Sequence, residues 1–377
     1  QQPARKLQLL GITGTNGKSS TAFFVNQLVE QLQQKAAVIG TLGYGPCSQL
    51  TPLPNTTPHY VDIQRILAQS VAEQTQLVAM EVSSHALVQQ RVAGILFDVA
   101  IFTNLTRDHL DYHGSMAEYG AAKALLFTPQ LSRAAVINVS DEFGRKLAAQ
   151  CQLPVWAYGK AEDCQGFNRY LAYSAVEAGA DGYQLQLSSH LGNHSLYLPL
   201  LGEFNIQNVL AALTGLLVLG YGLESLVQAC AALQAVPGRM EQFSFARQFT
   251  AVVDYAHTPD ALQQALQSLR LHCRGRLWCV FGCGGDRDRG KRPLMGQLAE
   301  LFADHVIMTS DNPRTEDALA ICEQIAAGMS PDASYQIEPD RQAAIKLALA
   351  SAQTGDMVLV AGKGHETVQI IGSEHRQ

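Results

Sequence analysis

The sequence predicts an α/β protein in which a mostly parallel sheet carries an antiparallel patch and a second α/β domain follows. Two observations lead to this prediction. Short apolar runs that fit buried strands alternate with helical patterns along most of the 377 residues, which is typical of parallel sheets covered on both faces. Between Ala172 and Leu201, polar and apolar residues alternate one by one, as in a half-exposed antiparallel strand.

The first domain is predicted to span residues 1–237. Its buried strands are expected at 7–13, 36–39, 77–82 and 99–102. A helix is expected from Lys18 to about Gln34, and two more near 206–219 and 223–234. These lead to Pro237-Gly238, a pair of residues that breaks regular structure and marks the predicted boundary.

The second domain is predicted to span residues 238–377, about 140 residues, which suits an independent α/β unit. Its strands are expected at 250–254, 276–281, 304–309 and 356–361. Because helical patterns separate these strands, we expect a Rossmann-like arrangement.

The composition is that of a globular protein. Hydrophobic residues make up 47% and charged residues 16%, which excludes a disordered chain, a coiled coil and a collagen-like fibre. The net charge of −6 argues against a nucleic-acid partner, since such proteins normally carry a basic face.

The sequence predicts neither membrane insertion nor secretion. The longest uncharged apolar run, 209–223, is shorter than the roughly 18–20 residues that a spanning helix needs. The N-terminus lacks the apolar core of a signal peptide. The eight cysteines form no CxxC pair and indicate reduced thiols in a cytoplasmic protein.

A glycine-rich loop follows the first strand and opens the first helix, as a P-loop does. It consists of Gly14, Thr15, Asn16, Gly17, Lys18, Ser19 and Ser20. Its backbone N–H groups can bind phosphate, Lys18 can reach the β- and γ-phosphates, and Ser19 can ligate Mg²⁺. Ile12 stands where the usual spacing has glycine, so a simple turn that starts a helix is the alternative.

Two further polar segments follow strands of the first domain. Glu81 ends the strand 77–82, a position that suits a Mg²⁺ ligand beside a P-loop. The segment 103–114 contains ionisable residues at 109, 111 and 113. It allows two other interpretations, a zinc site and a solvated loop that caps a helix.

Ten segments in order resemble the Mur ligases and, within that family, the ligases that add meso-diaminopimelate to UDP-N-acetylmuramoyl-L-alanyl-D-glutamate (the UDP-MurNAc-dipeptide). They are GTNGKSS (14–20), NTT (55–57), MEVSSHALVQQR (80–91), TNLTRDHLDYHG (103–114), AAKALLF (121–127), VPGRME (236–241), VDYAHTPDAL (253–262), FGCGGDRDRGKRP (281–293), DNPR (311–314) and AGKGHE (361–366). The resemblance implies ATP- and Mg²⁺-dependent amide formation through an acyl phosphate, in the synthesis of peptidoglycan precursors.

The resemblance also implies a set of Mg²⁺ ligands: Ser19, Glu81, His109 and Lys123. Lys123 lies alone in an apolar helical stretch, which by itself predicts a side chain that extends to solvent. The family instead carries a lysine carbamylated by CO₂ at this place, which turns the cation into an anionic metal ligand.

Further residues match the family's nucleotide and substrate positions. For the nucleotide they are Asn205, Asn208, Arg239, Asp254 and His257, although the two asparagines could simply cap the helix that begins near residue 205. For the muramoyl dipeptide they are Asn55, Thr56, Thr57, Ser83, Gln89 and Arg91. For the amino acid they are Arg287, Asp311, Asn312, Pro313, Arg314, Gly362 and Glu366.

The DNPR segment is expected to choose the amino acid. Diaminopimelate has a distal carboxylate that lysine lacks, and the fork of Arg314 can bind that group bidentately. Lysine would leave the guanidinium unpaired. The alternative for Arg287 is a solvated basic loop with alternating charges.

The sequence lacks two features of the family and leaves two rival functions open. The P-loop begins near residue 11, so we expect the family's N-terminal uridine-binding domain to be absent. The sequence stops at Gln377, so we also expect the family's final helical segment to be absent. One rival is a folylpolyglutamate or cyanophycin synthetase-like ligase, against which DNPR and GKGHE argue. The other is a truncated nucleotide-binding module without turnover.

Overall fold

The computed structural model describes residues 2–246 and 248–377, and leaves the side chain of Asp111 undescribed. The described residues form two compact units. Unit 1 contains the described part of Gln1–Glu177, with Tyr183–Pro199 and Glu203–Leu233. Unit 2 contains Ala178–Gly182, Leu200–Gly202 and the described part of Gln234–Gln377.

Unit 1 is built on one large sheet. Its strands are β1 (Gln8–Thr13), β2 (Ala36–Gly40), β3 (Gly43–Gly45), β4 (Leu77–Glu81), β5 (Val99–Phe102), β6 (Ala135–Asn138), β7 (Val155–Lys160), β8 (Tyr170–Ala178), β9 (Tyr183–Ser189) and β10 (Gly192–Leu198). The sheet order is β10-β9-β8-β7-β6-β5-β1-β4-β2-β3. The predicted α/β class is confirmed, with parallel pairing at the centre and an antiparallel β9–β10 hairpin.

Eight α-helices of unit 1 are described. They are α1 (Lys18–Gln31), α2 (Tyr60–Ala72), α3 (Ser84–Val88), α4 (Leu110–His113), α5 (Met116–Ala124), α6 (Glu142–Gln150), α7 (Glu203–Val218) and α8 (Leu223–Ala229). The central strand β1 is buried on both faces, as expected where helices cover a parallel sheet.

The register of unit 1 brings three strand ends together. β1 lies between β4 and β5 and is parallel to both, with Ile12 paired to Glu81 and Thr13 to Phe102. The P-loop, Glu81 and the segment that begins at Thr103 therefore leave the same edge of the sheet, where ligands of open α/β sheets bind.

Unit 2 contains a smaller sheet of the same kind. Its strands are β11 (Glu241–Ser244), β12 (Thr250–Asp254), β13 (Leu277–Phe281), β14 (His305–Met308), β15 (Tyr335–Ile337), β16 (Met357–Ala361), β17 (Gln369–Ile371) and β18 (Glu374–Arg376). Its α-helices are α9 (Pro259–Arg270), α10 (Lys291–Phe302), α11 (Ala318–Ala326) and α12 (Arg341–Ser351). The sheet order is β11-β12-β16-β13-β14-β15, and β17 and β18 form a separate hairpin.

The core of unit 2 lies on both faces of its sheet. Cys279 and Val280 are neighbours on β13, yet they belong to different hydrophobic clusters. Because both faces are buried, the central strands have continuous apolar sequences, which is why they could be predicted. β12, β13, β14 and β16 are parallel, so the segments after them meet at one edge.

In the described part of the chain, no helix is both long and apolar enough to cross a membrane.

Candidate active site

The phosphate loop in unit 1 has the backbone geometry that anion binding requires. Gly17 precedes α1 in the left-handed region, with φ +83°, and no side chain caps the helix. The start of α1 is therefore a place where backbone N–H groups can bind an anion. A Cβ on Gly17 would collide with the amide of Asn208, and one on Gly14 with the hydroxyl of Thr103, so the loop depends on both glycines.

The segment after β5 holds the phosphate loop in place. The side chain of Asn104 accepts from the backbone N–H of Asn16 (2.9 Å), and Thr103 Oγ1 donates to the carbonyl of Asn16 (2.6 Å). Lys18 folds back over the loop, because its Nζ donates to the carbonyls of Gly14 (2.9 Å) and Thr15 (2.8 Å). Its ammonium group thus lies where phosphate oxygens would arrive.

Lys123, on α5, is buried and lies against this loop. Its side chain is 1% exposed, so the expectation of an exposed lysine is wrong. Its Nζ donates to the carbonyl of Gly14 (2.9 Å) and lies 4.3 Å from the ring centroid of Tyr119. Burial, followed by repulsion from Lys18, lowers the pKa of Lys123 to about 6, so most of its amine is neutral at pH 7.

Glu81 provides a buried carboxylate at the end of β4. It is 2% exposed. Its Oε1 accepts from the backbone N–H of Thr41 (2.9 Å) and its Oε2 from the Thr41 hydroxyl (3.2 Å). A carboxylate has about four acceptor sites, so both oxygens can still bind a cation.

His109 lies in a more open place. Its side chain is 47% exposed, and its Nε2 is 3.4 Å from Oδ2 of Asp108. Its ring centroid is 5.0 Å from that of His85 and 6.1 Å from that of Tyr119. The hydroxyl of Tyr119 lies 3.3 Å from Thr15 Oγ1, so aromatic contacts connect His109 to the phosphate loop.

The donor set at this edge fits ATP and Mg²⁺. The loop offers N–H groups and a lysine to phosphate, while the hydroxyl of Ser19 and the carboxylate of Glu81 are the hard oxygen ligands that Mg²⁺ prefers. Among the side chains that the structure describes, no group of three His, Cys, Asp or Glu is placed to hold a metal. The zinc alternative for residues 109–113 has no support there, and the side chain of Asp111 lies outside the description.

Five of the six predicted dipeptide residues form one hydrogen-bonded cluster beside Glu81. Its members are Thr56, Thr57, Ser83, Gln89 and Arg91. The Thr57 hydroxyl donates to the carbonyl of Glu81 (2.9 Å) and accepts from the N–H of Ser83 (3.0 Å). Arg91 donates to the carbonyl of Thr57 (2.7 Å) and, through Nε and Nη2, to Gln89 (2.9 and 2.6 Å).

Thr41 connects this cluster to the carboxylate of Glu81, the predicted metal ligand. Its hydroxyl lies 3.0 Å from that of Thr56 and also bonds to Glu81. The sixth predicted residue, Asn55, is exposed on the same loop.

The predicted nucleotide residues of unit 1 are buried inside a helix. α7 begins at Glu203, so neither Asn205 nor Asn208 is at its N-cap and the capping alternative is wrong. Asn208 Nδ2 donates to Asn205 Oδ1 (3.2 Å). The side chain of Asn208 also adjoins Gly17, which places an amide beside the phosphate loop.

The predicted nucleotide residues of unit 2 surround Tyr255. The guanidinium of Arg239 lies 4.7 Å from the Tyr255 ring centroid, and His257 Nδ1 is 2.7 Å from the Tyr255 carbonyl. The carboxylate of Asp254 accepts from the N–H groups of Met240 and Ala256, both at 2.8 Å. Burial raises the pKa of Asp254, and its contacts are those of a residue that shapes the turn.

The DNPR segment follows β14 in unit 2 and meets the segment after β16. Asn312 Nδ2 donates to Glu366 Oε2 (3.0 Å), and Lys363 Nζ donates to both side chains (3.0 and 2.9 Å). Burial opposes ionisation of Glu366, but the bonds from Lys363 and Asn312 keep its pKa below the ordinary value. A Cβ on Gly362 would lie 2.6 Å from Asp311 Oδ2, so glycine leaves room for that buried carboxylate.

The two predicted specificity arginines converge on Gly284. A Cβ built on Gly284 would lie 3.0 Å from Nη1 of Arg314 and 3.7 Å from Cγ of Arg287. Arg314 Nη1 also donates to the carbonyl of Gly285 (2.8 Å). Arg287 is exposed, as the basic-loop alternative expects, but it lies next to Arg314. Pro313 is buried in the turn between Asn312 and Arg314.

The sequence did not point to several residues that organise these sites. Thr41 and Tyr119 act through contacts with Glu81 and Thr15, which only the fold brings close. Arg341 is a half-buried cation that donates to the carbonyls of Ser310 (3.3 Å) and Ala361 (2.9 Å). For Lys363 the sequence does contain one indication, since this lysine stands between two glycines directly after a buried strand.

Comparison with protein families gives two matches that together span most of the chain. The Mur ligase middle domain matches residues 12–216, and the domain described as "Mur ligase, glutamate ligase domain" matches residues 238–364.

Two relatives have the same printed name, UDP-N-acetylmuramoyl-L-alanyl-D-glutamate–2,6-diaminopimelate ligase. The protein of Vibrio vulnificus (strain YJ016) is 45% identical over 366 residues, which cover 97% of this chain and 74% of that protein. The protein of Haemophilus influenzae (strain PittGG) is 46% identical over 372 residues, which cover 99% and 76%.

Solved structures give the same result at the level of the fold. A structure of a ligase with that name has a TM-score of 0.77 at 38% identity, covering 98% of this chain and 76% of the other. The folylpolyglutamate synthase of Mycobacterium tuberculosis has a TM-score of 0.71 at 21% identity, covering 96% and 89%. The second likeness is one of fold alone.

Proposed function

This chain belongs to the Mur ligase family, and from that premise we propose that it uses ATP to join meso-diaminopimelate to UDP-N-acetylmuramoyl-L-alanyl-D-glutamate, releasing ADP and phosphate. The product is a peptidoglycan precursor. The observation that carries the choice of amino acid is the convergence of Arg287 and Arg314 on Gly284. The guanidinium of Arg314, with the side chain of Arg287 beside it, suits the distal carboxylate by which diaminopimelate differs from lysine.

The reaction needs an activated acyl group, because a carboxylate is a poor electrophile. The γ-phosphoryl group of ATP passes to the γ-carboxylate of the dipeptide and forms an acyl phosphate, while ADP leaves. The amine of diaminopimelate then attacks the carbonyl carbon of this acyl phosphate. The amine loses a proton as the C–N bond forms, and phosphate leaves with the electrons of the broken C–O bond.

The residues of unit 1 suit the phosphoryl-transfer step. Lys18 and the N–H groups at the start of α1 would stabilise the charge on the transferred group, as preorganised donors do. Mg²⁺, when bound, supplies positive charge between the phosphates and the carboxylate that must approach them. Ser19, Glu81 and His109 would hold it.

We also propose that Lys123 reacts with CO₂ to form a carbamate. The neutral amine forms an N–C bond with CO₂, an electron pair of one C=O bond moves to oxygen, and the nitrogen releases a proton to water. This step needs an unprotonated amine, which the lowered pKa of Lys123 supports. The anion would lie beside the ammonium of Lys18 and could serve as a fourth Mg²⁺ ligand.

Removal and chemical rescue test the carbamate. Lys123→Ala is expected to lose most activity and to regain part of it in short carboxylic acids, which replace the missing carbamate oxygens. Lys146→Ala removes a lysine of α6 that is 66% exposed and is the matched control. If every small acid fails to restore Lys123→Ala, the carbamate proposal is wrong.

Product formation by the full-length protein tests the overall function. Phosphate release should require ATP, the UDP-MurNAc-dipeptide and meso-diaminopimelate together, and mass spectrometry should detect the muramoyl tripeptide. ATP binding without phosphate release in the complete mixture would favour a nucleotide-binding module and would refute the ligase.

A further inference from the structure

Two loops of unit 2 carry the specificity arginines, and hydrogen bonds join them. One is 284–287, after β13, and the other is 312–316, after β14. The N–H of Gly285 donates to the carbonyl of Asn312 (2.9 Å). The hydroxyl of Thr315 donates to Oδ1 of Asp286 (2.6 Å). The relative placement of Arg287 and Arg314 therefore depends on how firmly these loops are held against each other.

Arg292, on α10, lies behind both loops and is 0% exposed. Its Nη1 and Nη2 form a bidentate pair with the carboxylate of Glu316, at 3.0 and 2.9 Å. Nη2 also donates to the carbonyl of Gly284 (3.2 Å), and Nη1 to the side chain of Gln324 on α11 (2.6 Å). One guanidinium thus contacts the first loop, the second loop and a helix.

Glu316 completes the connection from the second loop. Its Oε1 also accepts from the N–H of Asp286 (2.7 Å), and its own N–H donates to the carbonyl of Pro313 (3.0 Å). The bonds from Arg292 and Asp286 hold the pKa of Glu316 well below its ordinary value. The carboxylate therefore stays ionised throughout the neutral range.

Both loops contain backbone that needs support from outside. Asp286 and Arg314 have φ of +55° and +52°, a left-handed conformation that is unfavourable for residues with a Cβ. Such residues persist where the surrounding contacts fix them, and they concentrate at functional sites. The bonds around Glu316 supply such contacts next to both residues.

We propose that the pair of the buried Arg292 and Glu316 is a positioning element that holds together the two loops that carry Arg287 and Arg314, and so selects an amino acid with a distal carboxylate. The proposal rests on the proposed function. Neither Arg292 nor Glu316 needs to touch the substrate. Because a bidentate site tolerates little displacement of its donors, loss of the pair should weaken diaminopimelate binding before it affects other substrates.

Steady-state kinetics of the full-length protein test the pair. Arg292→Met keeps much of the side-chain length and removes the charge, and Glu316→Gln keeps the shape of the carboxylate. Each is expected to raise the KM for diaminopimelate at least tenfold, to change kcat less than threefold, and to leave the KM for ATP unchanged. The KM of Arg292→Lys for diaminopimelate should lie between the values for these variants and for the wild type, because an ammonium group cannot form the bidentate pair.

Arg289→Ala is the matched control. Arg289 contacts the same carboxylate, with Nη2 3.0 Å from Glu316 Oε2, but is 68% exposed, so its loss should leave the KM for diaminopimelate within twofold of the wild type. Thermal melting of each variant separates positioning from folding, and Glu316→Gln and Arg292→Lys carry the test if Arg292→Met does not fold.

Two outcomes would overturn the proposal. One is an unchanged KM for diaminopimelate in folded Glu316→Gln and Arg292→Lys, and the other is an equal rise in the KM for all three substrates. If the wild type itself does not use diaminopimelate, the proposed function fails and this kinetic test does not arise.

Discussion

The surroundings of Lys123 change its chemistry. In water it would be a cation at neutral pH, but next to Lys18 and out of solvent the neutral amine is favoured. A sequence shows only a lysine among apolar neighbours. Whether that lysine extends to solvent or turns inward depends on the backbone carbonyl of Gly14, which lies 109 positions away along the chain.

The burial of Lys123 should make stability depend on pH. Its pKa falls from 10.5 to about 6 on folding, so between these values the unfolded chain binds a proton that the folded chain does not. The contribution of Lys123 to the free energy of unfolding therefore rises as the pH increases from 6 towards 10. Below pH 6 the lysine is protonated in both states, and the folded protein bears the full cost of burying its charge.

Comparison with Lys123→Met isolates this effect, because both proteins share every other titrating group. In CO₂-free buffer, the difference in urea unfolding midpoint should shift in favour of the wild type between pH 6 and pH 9. A difference that stays constant over this range would show that the folded and unfolded chains bind this proton equally well.

Arg314 should control the amino acid and not the nucleotide. Removal of a charge-assisted hydrogen bond weakens binding by about 1.5–3 kcal/mol, so Arg314→Ala should raise the KM for diaminopimelate about 10- to 100-fold. The KM for ATP should stay within about twofold, since the phosphate loop belongs to unit 1.

Arg376→Ala is the control for Arg314→Ala, because Arg376 is 63% exposed and pairs with nearby Glu374 at 3.0 Å. Initial rates over a range of diaminopimelate concentrations provide the measurement. An unchanged KM for diaminopimelate in Arg314→Ala would remove this residue from the binding site.

At the scale of elements, the junction of β1 and α1 explains why a P-loop was predictable despite Ile12. The strand, the two glycines and the helix start are local features, and each has a local signal. The contact that makes Gly17 necessary, with Asn208 on α7, is distant in sequence and could not be predicted.

Alanine substitutions at two glycines test the junction of β1 and α1. Gly17→Ala would place a Cβ against Asn208 and in the left-handed region, whereas Gly94 has a similar φ of +75° and open space around it. Gly94→Ala should destabilise the protein by about 1–2 kcal/mol through backbone strain alone. Gly17→Ala should lose more stability and should also weaken ATP binding at least tenfold.

Thermal melting and titration with a fluorescent ATP analogue would measure the two effects. Equal losses in the two variants would mean that the phosphate loop tolerates a side chain at position 17.

The same distinction between local and distant information explains which of the other elements could be predicted from the sequence. The continuous apolar runs of β1, β4, β5 and β16 could be predicted because both faces are buried. β8, expected in the antiparallel patch, lies at its border, where it neighbours β9 on one side and pairs in parallel with β7 on the other. Alternation shows that one face is exposed and does not give the direction of the partner. β6 and β7, at Ala135–Asn138 and Val155–Lys160, were not predicted.

At the scale of the whole molecule, the fold alone does not determine the substrate. The folylpolyglutamate synthase structure matches 96% of this chain at 21% identity, so one architecture serves ligases that act on different acceptors. We expect the difference to lie in side chains at the edges of the two sheets. In unit 2 the candidates are the arginines at Gly284 and the cluster of Asn312, Lys363 and Glu366.

A substrate screen turns this argument into a prediction. With the UDP-MurNAc-dipeptide as acceptor, the full-length protein should use meso-diaminopimelate with a kcat/KM at least 100-fold above that for L-lysine, because lysine would leave two guanidinium groups without a carboxylate. With a glutamate-tailed folate as acceptor, ADP release should not rise above the rate in its absence. The matched comparison is Arg314→Ala, in which the preference for meso-diaminopimelate over L-lysine should shrink because diaminopimelate binds more weakly. ADP release that depends on folate, without any that depends on the muramoyl dipeptide, would instead place the chain among the folylpolyglutamate-type ligases.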